Sequence, residues 1–379
     1  MISSAIIPRP LAKLPWRLIF LVTGIAMFGL VVLYSAAGGS MQPWALKQGI
    51  VFFGFLALAV AMSWMSESTM KAIAFPLYGV TLVMLIGVEV LGFVSKGAQR
   101  WLDLGPIKLQ PSEFMKPAIV LTLARFYELV PVGEIRKWRA IWPALLLLGV
   151  PALLILVQPD LGTCIVVMLC GVTVMFLAGL PWWFFAAPAA GFAVLAPIAY
   201  GFMHGYQKKR IQTFIDPDSD PLGAGYHIAQ SKIAIGSGGI WGKGFLHGSQ
   251  SHLQYLPEGH TDFVFAVAAE EFGVLLCLIL AALFAFIVIR ALVKAMANDD
   301  PFIRFATAGL AMLFGLQSTI NMAVNLHLMP AKGMTLPFIS YGGSSLISLA
   351  YGMGMLVALT RERPRARLGS TYGFAASHA

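Results

Sequence analysis

Charged side chains are scarce in this sequence of 379 residues, where Asp, Glu, Lys and Arg together make up 11%. A soluble globular chain carries about 25% charged residues. Apolar residues, in contrast, make up 58% of the chain. Because a lipid-facing surface needs few charges and a hydrated one needs many, this composition excludes an ordinary soluble protein and predicts an integral membrane protein.

Cysteine is equally rare, and the three residues Cys164, Cys170 and Cys277 all lie in apolar runs. No loop holds a pair, so no disulfide framework is predicted. His247 and His252 are five residues apart with no third ligand nearby, which gives no zinc-site spacing. The formal net charge of +9 comes from dispersed Lys and Arg rather than from one patch. Since no nucleic-acid-binding motif accompanies them, a nucleic-acid partner is excluded.

Long apolar runs divide the chain. About twenty apolar residues are needed to cross the hydrocarbon core of a bilayer, and runs of this kind predict an all-α integral membrane protein with about ten transmembrane helices. They lie near 16–36, 47–65, 72–94, 112–130, 139–157, 162–179, 182–203, 263–290, 302–326 and 338–360. The first run is too long for the apolar core of a cleaved signal peptide, so we interpret it as a retained helix.

The polar stretch 204–261 predicts one large loop between helices 7 and 8. Helices 1–7 then occupy 16–203, helices 8–10 occupy 263–360, and 361–379 form a tail. We interpret residues 1–379 as a single membrane domain, because no internal repeat or low-complexity tract divides them.

The distribution of basic residues predicts the orientation. With a cytoplasmic N-terminus, 15 of the 26 Lys and Arg residues lie on the inner side, and five of the other 11 lie in the long loop. The positive-inside rule therefore favours two cytoplasmic termini, a cytoplasmic tail and an extracytoplasmic loop. The polar motifs then fall on the outer side, which argues against chemistry that uses cytosolic ATP or a sugar nucleotide.

The fourth predicted helix opens with a polar cluster. Glu113 and Lys116 are three residues apart and share a helix face. One interpretation is a helix start in which Ser112 is the cap and Lys116 is the ion-pair partner of Glu113. The alternative is a site for an anionic ligand such as a pyrophosphate, which suits a lysine at a helix N-terminus. Arg100 and Lys108, in the preceding loop, would add to that site.

A second cluster, Leu256–Phe263, ends the long loop. Thr261 or Asp262 could be the N-cap of the eighth helix. Alternatively, Asp262 is a general base at the membrane surface, where a carboxylate away from bulk water gains proton affinity. Glu270 and Glu271 follow within the helix, and two carboxylates at that depth must face protein or water. We interpret them as pairing with groups on neighbouring helices.

Three further segments have ordinary structural interpretations. Gln158–Thr163 predicts a tight turn in which Asp160 caps the sixth helix. The small residues around Ser340 predict close helix packing. The stretch around Lys232 could lie at the membrane surface, and the glycines that follow it in 236–244 predict a flexible segment suited to an extended ligand.

Taken together and in this order, these segments resemble the SEDS family (shape, elongation, division and sporulation proteins) over roughly 16–360. The segments most specific for the RodA branch, which acts in cell elongation, are Tyr226–Lys232 and Leu256–Phe263. Gln158–Thr163 also fits that branch. Lys332–Ser345 looks more like the division branch, FtsW.

The resemblance implies a ten-helix peptidoglycan glycosyltransferase in the bacterial cytoplasmic (inner) membrane, acting in cell elongation. Its substrate would be lipid II, a disaccharide-pentapeptide on undecaprenyl pyrophosphate. By the family pattern, Asp262 is the catalytic base that deprotonates the acceptor sugar 4-hydroxyl. That hydroxyl attacks the anomeric carbon of the lipid-linked donor on the outer face, the anomeric centre inverts, and undecaprenyl pyrophosphate leaves.

The resemblance also implies a substrate site and partners. Lys116 is assigned to the pyrophosphate, and Glu113 completes a polar pair in the central cavity. The other positions assigned to the substrate are Arg100, Arg210, Lys232, Gln158, Asp160 and Ser340. No cofactor is implied with certainty, and a divalent cation, Mg²⁺ or Mn²⁺, is left open. The implied partners are a class B penicillin-binding protein, which would do the cross-linking, and further elongation-complex proteins.

Other functions stay open at this point. A lipid II flippase would need polar residues through to the cytoplasmic side, whereas the charges within the predicted spans cluster toward the outer half. A division-specific FtsW-like polymerase would use the same chemistry. An ion-coupled transporter would need inverted repeats, which are not found, and a scaffold would tolerate Asp262→Asn.

Overall fold

The computed structural model describes residues 14–95, 98–103, 105, 108–202, 205–216, 223–253, 255–256, 258–330 and 333–361. The tail predicted for 361–379 therefore lies outside the described residues, except for Arg361. The helices are α1 (Trp16–Ala36), α2 (Ala45–Met62), α3 (Glu67–Leu91), α4 (Pro111–Leu129), α5 (Trp138–Val157), α6 (Leu161–Ala178), α7 (Trp183–Phe202), α8 (Gly205–Ile215), α9 (Ala224–Gly238), α10 (Ser249–His252), α11 (Val264–Met296), α12 (Pro301–Asn325) and α13 (Gly343–Thr360).

A small antiparallel sheet lies between α3 and α4. Its strands pair in the order β1 (Phe93–Ser95), β2 (Ala98–Asp103) and β3 (Lys108–Leu109). Leu102 of β2 is opposite Leu109 of β3. The sheet therefore delivers the chain directly to the first turn of α4.

Apolar helices of membrane-spanning length dominate the fold. Among the described residues, eight helices are long and apolar enough to cross a bilayer, namely α1, α2, α3, α5, α6, α11, α12 and α13. Helices α4 and α7 occupy the two other predicted spans, and α4 carries charged residues at both ends. The helical membrane fold is confirmed, with one small sheet beside the helices, while the number of ten crossings stays a prediction.

The centre of the molecule is built from α4, α12 and α13. The most apolar windows of α12 and α13 are 72% and 78% buried, whereas those of α2, α3 and α11 are 28% buried. Helix α4 is buried on all sides through most of its length. Gly309 of α12 allows close approach, because a Cβ there would lie 2.6 Å from the side chain of Val120. The inner helices therefore carry the polar side chains described below.

The region predicted as one large loop contains helices α8, α9 and α10 among its described residues. Its glycines pack against α11, which breaks at Gly273 with φ 80° and ψ 172°. The amides of Lys243 and Gly244 donate to the carbonyls of Glu270 and Glu271 at 2.9 and 3.0 Å. Within a bilayer such freed backbone groups must find protein partners.

The interpretation of 236–244 as a flexible ligand-gripping segment is therefore wrong. A Cβ on Gly242 would lie 2.1 Å from the Glu271 carbonyl oxygen, and one on Gly238 would lie 2.1 Å from the Ala269 carbonyl oxygen. These glycines permit close contact between two backbones.

Candidate active site

Asp262 lies immediately before α11, and its backbone is fixed from α12. The side-chain amides of Asn321 and Asn325 both donate to the Asp262 carbonyl, at 3.0 and 2.9 Å. The Asp262 side chain is partly buried, and its Oδ2 would lie 3.3 Å from a Cβ placed on Gly333. The carboxylate is therefore held at the helix entrance and faces the segment that follows α12.

Helix α11 is capped from another helix. Its N-cap residue is Phe263, and that position makes no side-chain capping hydrogen bond. The amide of Ala266 instead donates to the Asn325 side-chain oxygen at 3.2 Å, which satisfies one of the free amides of the first turn. The interpretation of Thr261 or Asp262 as the N-cap residue is therefore wrong.

Glu113 and Lys116 form a buried ion pair in the first turns of α4. Their Oε2 and Nζ atoms are 2.7 Å apart, with side chains 10% and 3% exposed. Lys116 also donates to Oε1 of Gln317 on α12 at 2.9 Å. The predicted pairing is confirmed, but the N-cap of α4 is Gln110 rather than Ser112. A cation at this depth is stable only with such partners.

Helix α12 connects this pair to Asp262. Gln317, Asn321 and Asn325 follow one another at intervals of four residues, so their side chains share one face of the helix. Gln317 donates to the Thr335 carbonyl at 3.1 Å, and Asn321 donates to the Met334 carbonyl. The face that fixes Lys116 therefore also fixes Asp262 and the chain segment beside it.

Aromatic rings lie beside the segment that leads into Asp262. His260 stacks on Trp44 with a centroid distance of 4.1 Å and an interplanar angle of 8°. The Tyr341 amide donates to the His260 carbonyl at 2.9 Å.

Ser340 is buried and accepts from the Leu336 amide at 2.7 Å. The Ser340 hydroxyl therefore fixes the turn that leads into α13, as expected of a packing residue.

Arg100, Gln158 and Asp160 brace the helix ends beside α4. Arg100 donates to the Gln158 carbonyl at 2.9 Å and also to the Pro159 carbonyl. The Gln158 side chain donates to the Leu85 carbonyl at 2.9 Å. The guanidinium thus lies at the C-terminal end of α5, where a cation is favoured, and its hydrogen bonds go to backbone rather than to the Glu113–Lys116 pair.

Asp160 caps α6 as the sequence predicts. Its Oδ1 accepts from the Thr163 amide, and its Oδ2 accepts from the Gln110 side chain, both at 3.1 Å. Gln110 is the residue before α4. Asp160 therefore ties the α5–α6 turn to the helix that carries Lys116.

Helix α9 lies beside the same centre. His227 stacks on Phe263 at 6.0 Å, and Ser231 donates to the Asn325 carbonyl at 2.9 Å. Lys232 is exposed. His327, just beyond α12, has a lowered pKa because it is partly buried, and the charge of Lys232 lowers that pKa a little further. The side chain of Arg210, also assigned to the substrate, lies outside the described residues.

Glu270 and Glu271 are fully buried and bind the glycine-rich segment. Lys243 lies 2.7 Å from Glu270 Oε1, and the Gln250 amide donates to the same oxygen at 3.0 Å. Glu271 accepts from Ser35 of α1, with His252 Nε2 at 3.5 Å. Their structural interpretation is confirmed, and their partners come from residues 243–252, which include α10, and from Ser35 of α1.

Within the described ranges, no group of three or more His, Cys, Asp or Glu side chains is arranged to hold a metal ion. The divalent cation left open by the sequence is untested.

Comparison with known proteins agrees with this geometry. The model of the FtsW/RodA/SpoVE family, described as a cell cycle protein, matches residues 16–365. Peptidoglycan glycosyltransferase MrdB of Escherichia coli (strain K12), a RodA homologue, is 41% identical over 347 residues, covering 91% of this chain and 93% of MrdB. The probable peptidoglycan glycosyltransferase FtsW of Aliivibrio salmonicida (strain LFI1238) is 36% identical over 367 residues, covering 94% of this chain and 91% of that FtsW.

A solved structure gives the same result at the level of the fold. One chain of a peptidoglycan synthase complex that coordinates polymerization and crosslinking superposes with a TM-score of 0.79. It is 33% identical, and the match covers 92% of this chain and 97% of that one.

The fold and the site together define a polytopic helical membrane protein with a buried polar centre where several helices begin. Within that class, the chain belongs to the FtsW/RodA/SpoVE family.

Proposed function

We propose that this chain is a peptidoglycan glycosyltransferase that polymerises lipid II on the outer face of the cytoplasmic membrane. The observation that carries the proposal is the joint fixing, by one face of α12, of the Asp262 backbone and of the buried Lys116 ammonium. Gln317 and Asn321 are one turn apart on α12, which supports a proton acceptor and a cation at the same end of the bundle. MrdB, the relative at 41% identity, is itself a peptidoglycan glycosyltransferase.

In the proposed reaction, Asp262 accepts the proton of the acceptor 4-hydroxyl. The oxygen attacks the anomeric carbon of the donor and forms the new glycosidic bond, while the bond from that carbon to the pyrophosphate oxygen breaks. The leaving pyrophosphate keeps the electron pair. Lys116 stabilises the negative charge that develops there, which is the role of a preorganised cation in a water-poor site.

Each side chain can do its part because it is preorganised. The two asparagines hold the Asp262 backbone, which limits the positions its carboxylate can reach. Gln317 and Glu113 keep Lys116 in place without a ligand. The bond to the pyrophosphate of the substrate supplies the energy, so no nucleotide is needed.

We infer that the chain acts in cell elongation with a class B penicillin-binding protein as the cross-linking partner. Two comparisons support this inference. Identity is higher to MrdB, at 41%, than to the FtsW relative, at 36%. The structural neighbour with a TM-score of 0.79 comes from a complex that coordinates polymerization with crosslinking.

The decisive experiment is lipid II polymerisation by the purified chain with its class B partner. We expect wild type to make glycan strands and Asp262→Asn, which preserves shape but not basicity, to lose at least about 100-fold in rate. Asp103→Asn is the matched control, because Asp103 is an exposed acid of β2 that binds only its own turn among described residues. It should retain full activity.

Other results would identify another function. Equal rates for wild type and Asp262→Asn would show that Asp262 is not the base. If neither protein makes strands although both bind the partner, the polymerase proposal is wrong, and transport of lipid II across liposomes becomes the assay to run.

A further inference from the structure

A cavity lies at the opposite end of the helices from Asp262. It has a volume of about 510 Å³ and is lined by the start of α1, the last turns of α11 and the end of α13. Ligand pockets in proteins are roughly 300–1,000 Å³. The cavity is therefore large enough to hold part of a small molecule.

Three cations converge on this cavity from two helices. Arg17 comes from α1, and Arg290 and Lys294 come from α11, where they are one turn apart. None of the described residues that line the cavity is acidic. Among the described residues, neither Arg17 nor Arg290 has an acid within ion-pair distance, whereas Lys294 donates to the Thr360 carbonyl at 2.8 Å. The described lining of the cavity is therefore positively charged.

The cavity is polar at one end and apolar at the other. Arg17 and Lys294 lie at the ends of their helices, and Leu21 and Phe286 line the cavity closer to the middle of the same helices. Phe286 is two turns from Lys294, which is about 12 Å along a helix axis. A ligand that fills the cavity therefore needs an anionic group at the surface and an apolar part within the bilayer.

We propose that this cavity binds the phosphate headgroup and upper acyl chain of an anionic glycerophospholipid of the inner leaflet. The predicted orientation places Arg17, Arg290 and Lys294 at the cytoplasmic surface, where anionic lipids attract basic residues next to the membrane. A free phosphate ester would satisfy the cations but has no apolar part to pack against Leu18, Leu21 and Phe286. The phosphate of the lipid binds the cations, and its acyl chain packs against the apolar wall.

Lipid binding to the purified full-length chain in neutral detergent tests this proposal, with native mass spectrometry as the readout. The three probes are dioleoyl phosphatidylglycerol, dioleoyl phosphatidylcholine with the same tails, and glycerol 3-phosphate without tails. We expect wild type to prefer phosphatidylglycerol. Arg290→Gln should lower that affinity about fivefold, and Arg290→Gln with Lys294→Gln about 25-fold.

Arg139→Gln is the matched control, because Arg139 is an exposed basic residue in the first turn of α5 and does not line the cavity. It should bind phosphatidylglycerol like wild type. The site is refuted if both lipids bind equally, if Arg290→Gln binds like wild type, or if the control loses as much affinity. Equal affinity for glycerol 3-phosphate would show a phosphate-ester site instead.

Thermal unfolding of each variant identifies any loss of fold, and Arg290→Gln removes no hydrogen bond described in the structure.

Discussion

Single residues in the centre of the bundle carry charges that an apolar core would not need. Glu113 and Lys116 are both almost fully removed from solvent. Desolvating two ions costs several kcal/mol each, and an apolar pair of the same size is often as stable or more stable. The ion pair is therefore explained better by function than by stability.

Lys116→Met should destabilise the fold by about 3–5 kcal/mol, because it leaves the Glu113 carboxylate buried without its cation. Glu113→Gln combined with Lys116→Met removes both charges and should recover most of that stability. Denaturant unfolding in detergent measures both effects. If Lys116 stabilises the leaving pyrophosphate, the double variant is stable yet remains inactive in lipid II polymerisation.

The double variant separates structure from chemistry. Recovery of stability together with activity would show that Lys116 only balances Glu113. Equal unfolding free energies for wild type and Lys116→Met would contradict the buried-pair argument itself.

Helix α11 depends on elements that hydropathy does not detect. Its break at Gly273 exposes backbone groups, and the segment Gly239–Gly244 supplies their partners. Two of the contacts require glycine, since a Cβ on Gly273 would lie 2.3 Å from the Ile240 carbonyl oxygen and one on Gly242 would lie 2.1 Å from that of Glu271. The broken helix and the loop are therefore one structural unit.

Gly242→Ala should destabilise the protein by about 3 kcal/mol or more, because the new methyl group meets backbone atoms and the residue has φ 83°. Gly236→Ala is the matched control within the same region. No atom lies within 4 Å of a Cβ at Gly236, which is in α9. That change should stabilise by about 0.5–1 kcal/mol. Thermal unfolding measures both variants, and Gly242→Ala should melt at the lower temperature. Similar melting temperatures for the two would contradict the close packing around Gly242.

The sequence predicts the helices well because long apolar runs have one stable arrangement in a bilayer. It also predicts the Glu113–Lys116 pair and the Asp160 cap, since both depend on contacts within one or two turns. It does not predict which residues hold the Asp262 backbone carbonyl. Gln317, Asn321 and Asn325 show a polar spacing of four residues in α12, and this signal was available, but nothing local indicates which distant backbone they bind.

At the scale of the whole molecule, the two polar regions lie at opposite ends of the bundle. The starts of α4, α11 and α13 meet at one end, with the acid and the buried cation. The start of α1 and the end of α11 meet at the other, with exposed cations. An enzyme that works from one membrane surface needs this asymmetry, whereas a transporter needs a polar path between the two.

The orientation of the chain then decides which surface carries the chemistry, and cysteine labelling can measure it. The native Cys164, Cys170 and Cys277 are 5%, 0% and 6% exposed, so a membrane-impermeant maleimide should not label wild type. Trp241 in the predicted outer loop is 78% exposed, and Val132 between α4 and α5 is 87% exposed. We expect Trp241→Cys to react in intact spheroplasts and Val132→Cys to react only after permeabilisation. The reverse pattern would place Asp262 at the cytoplasmic surface, where an acceptor strand outside the cell could not reach it.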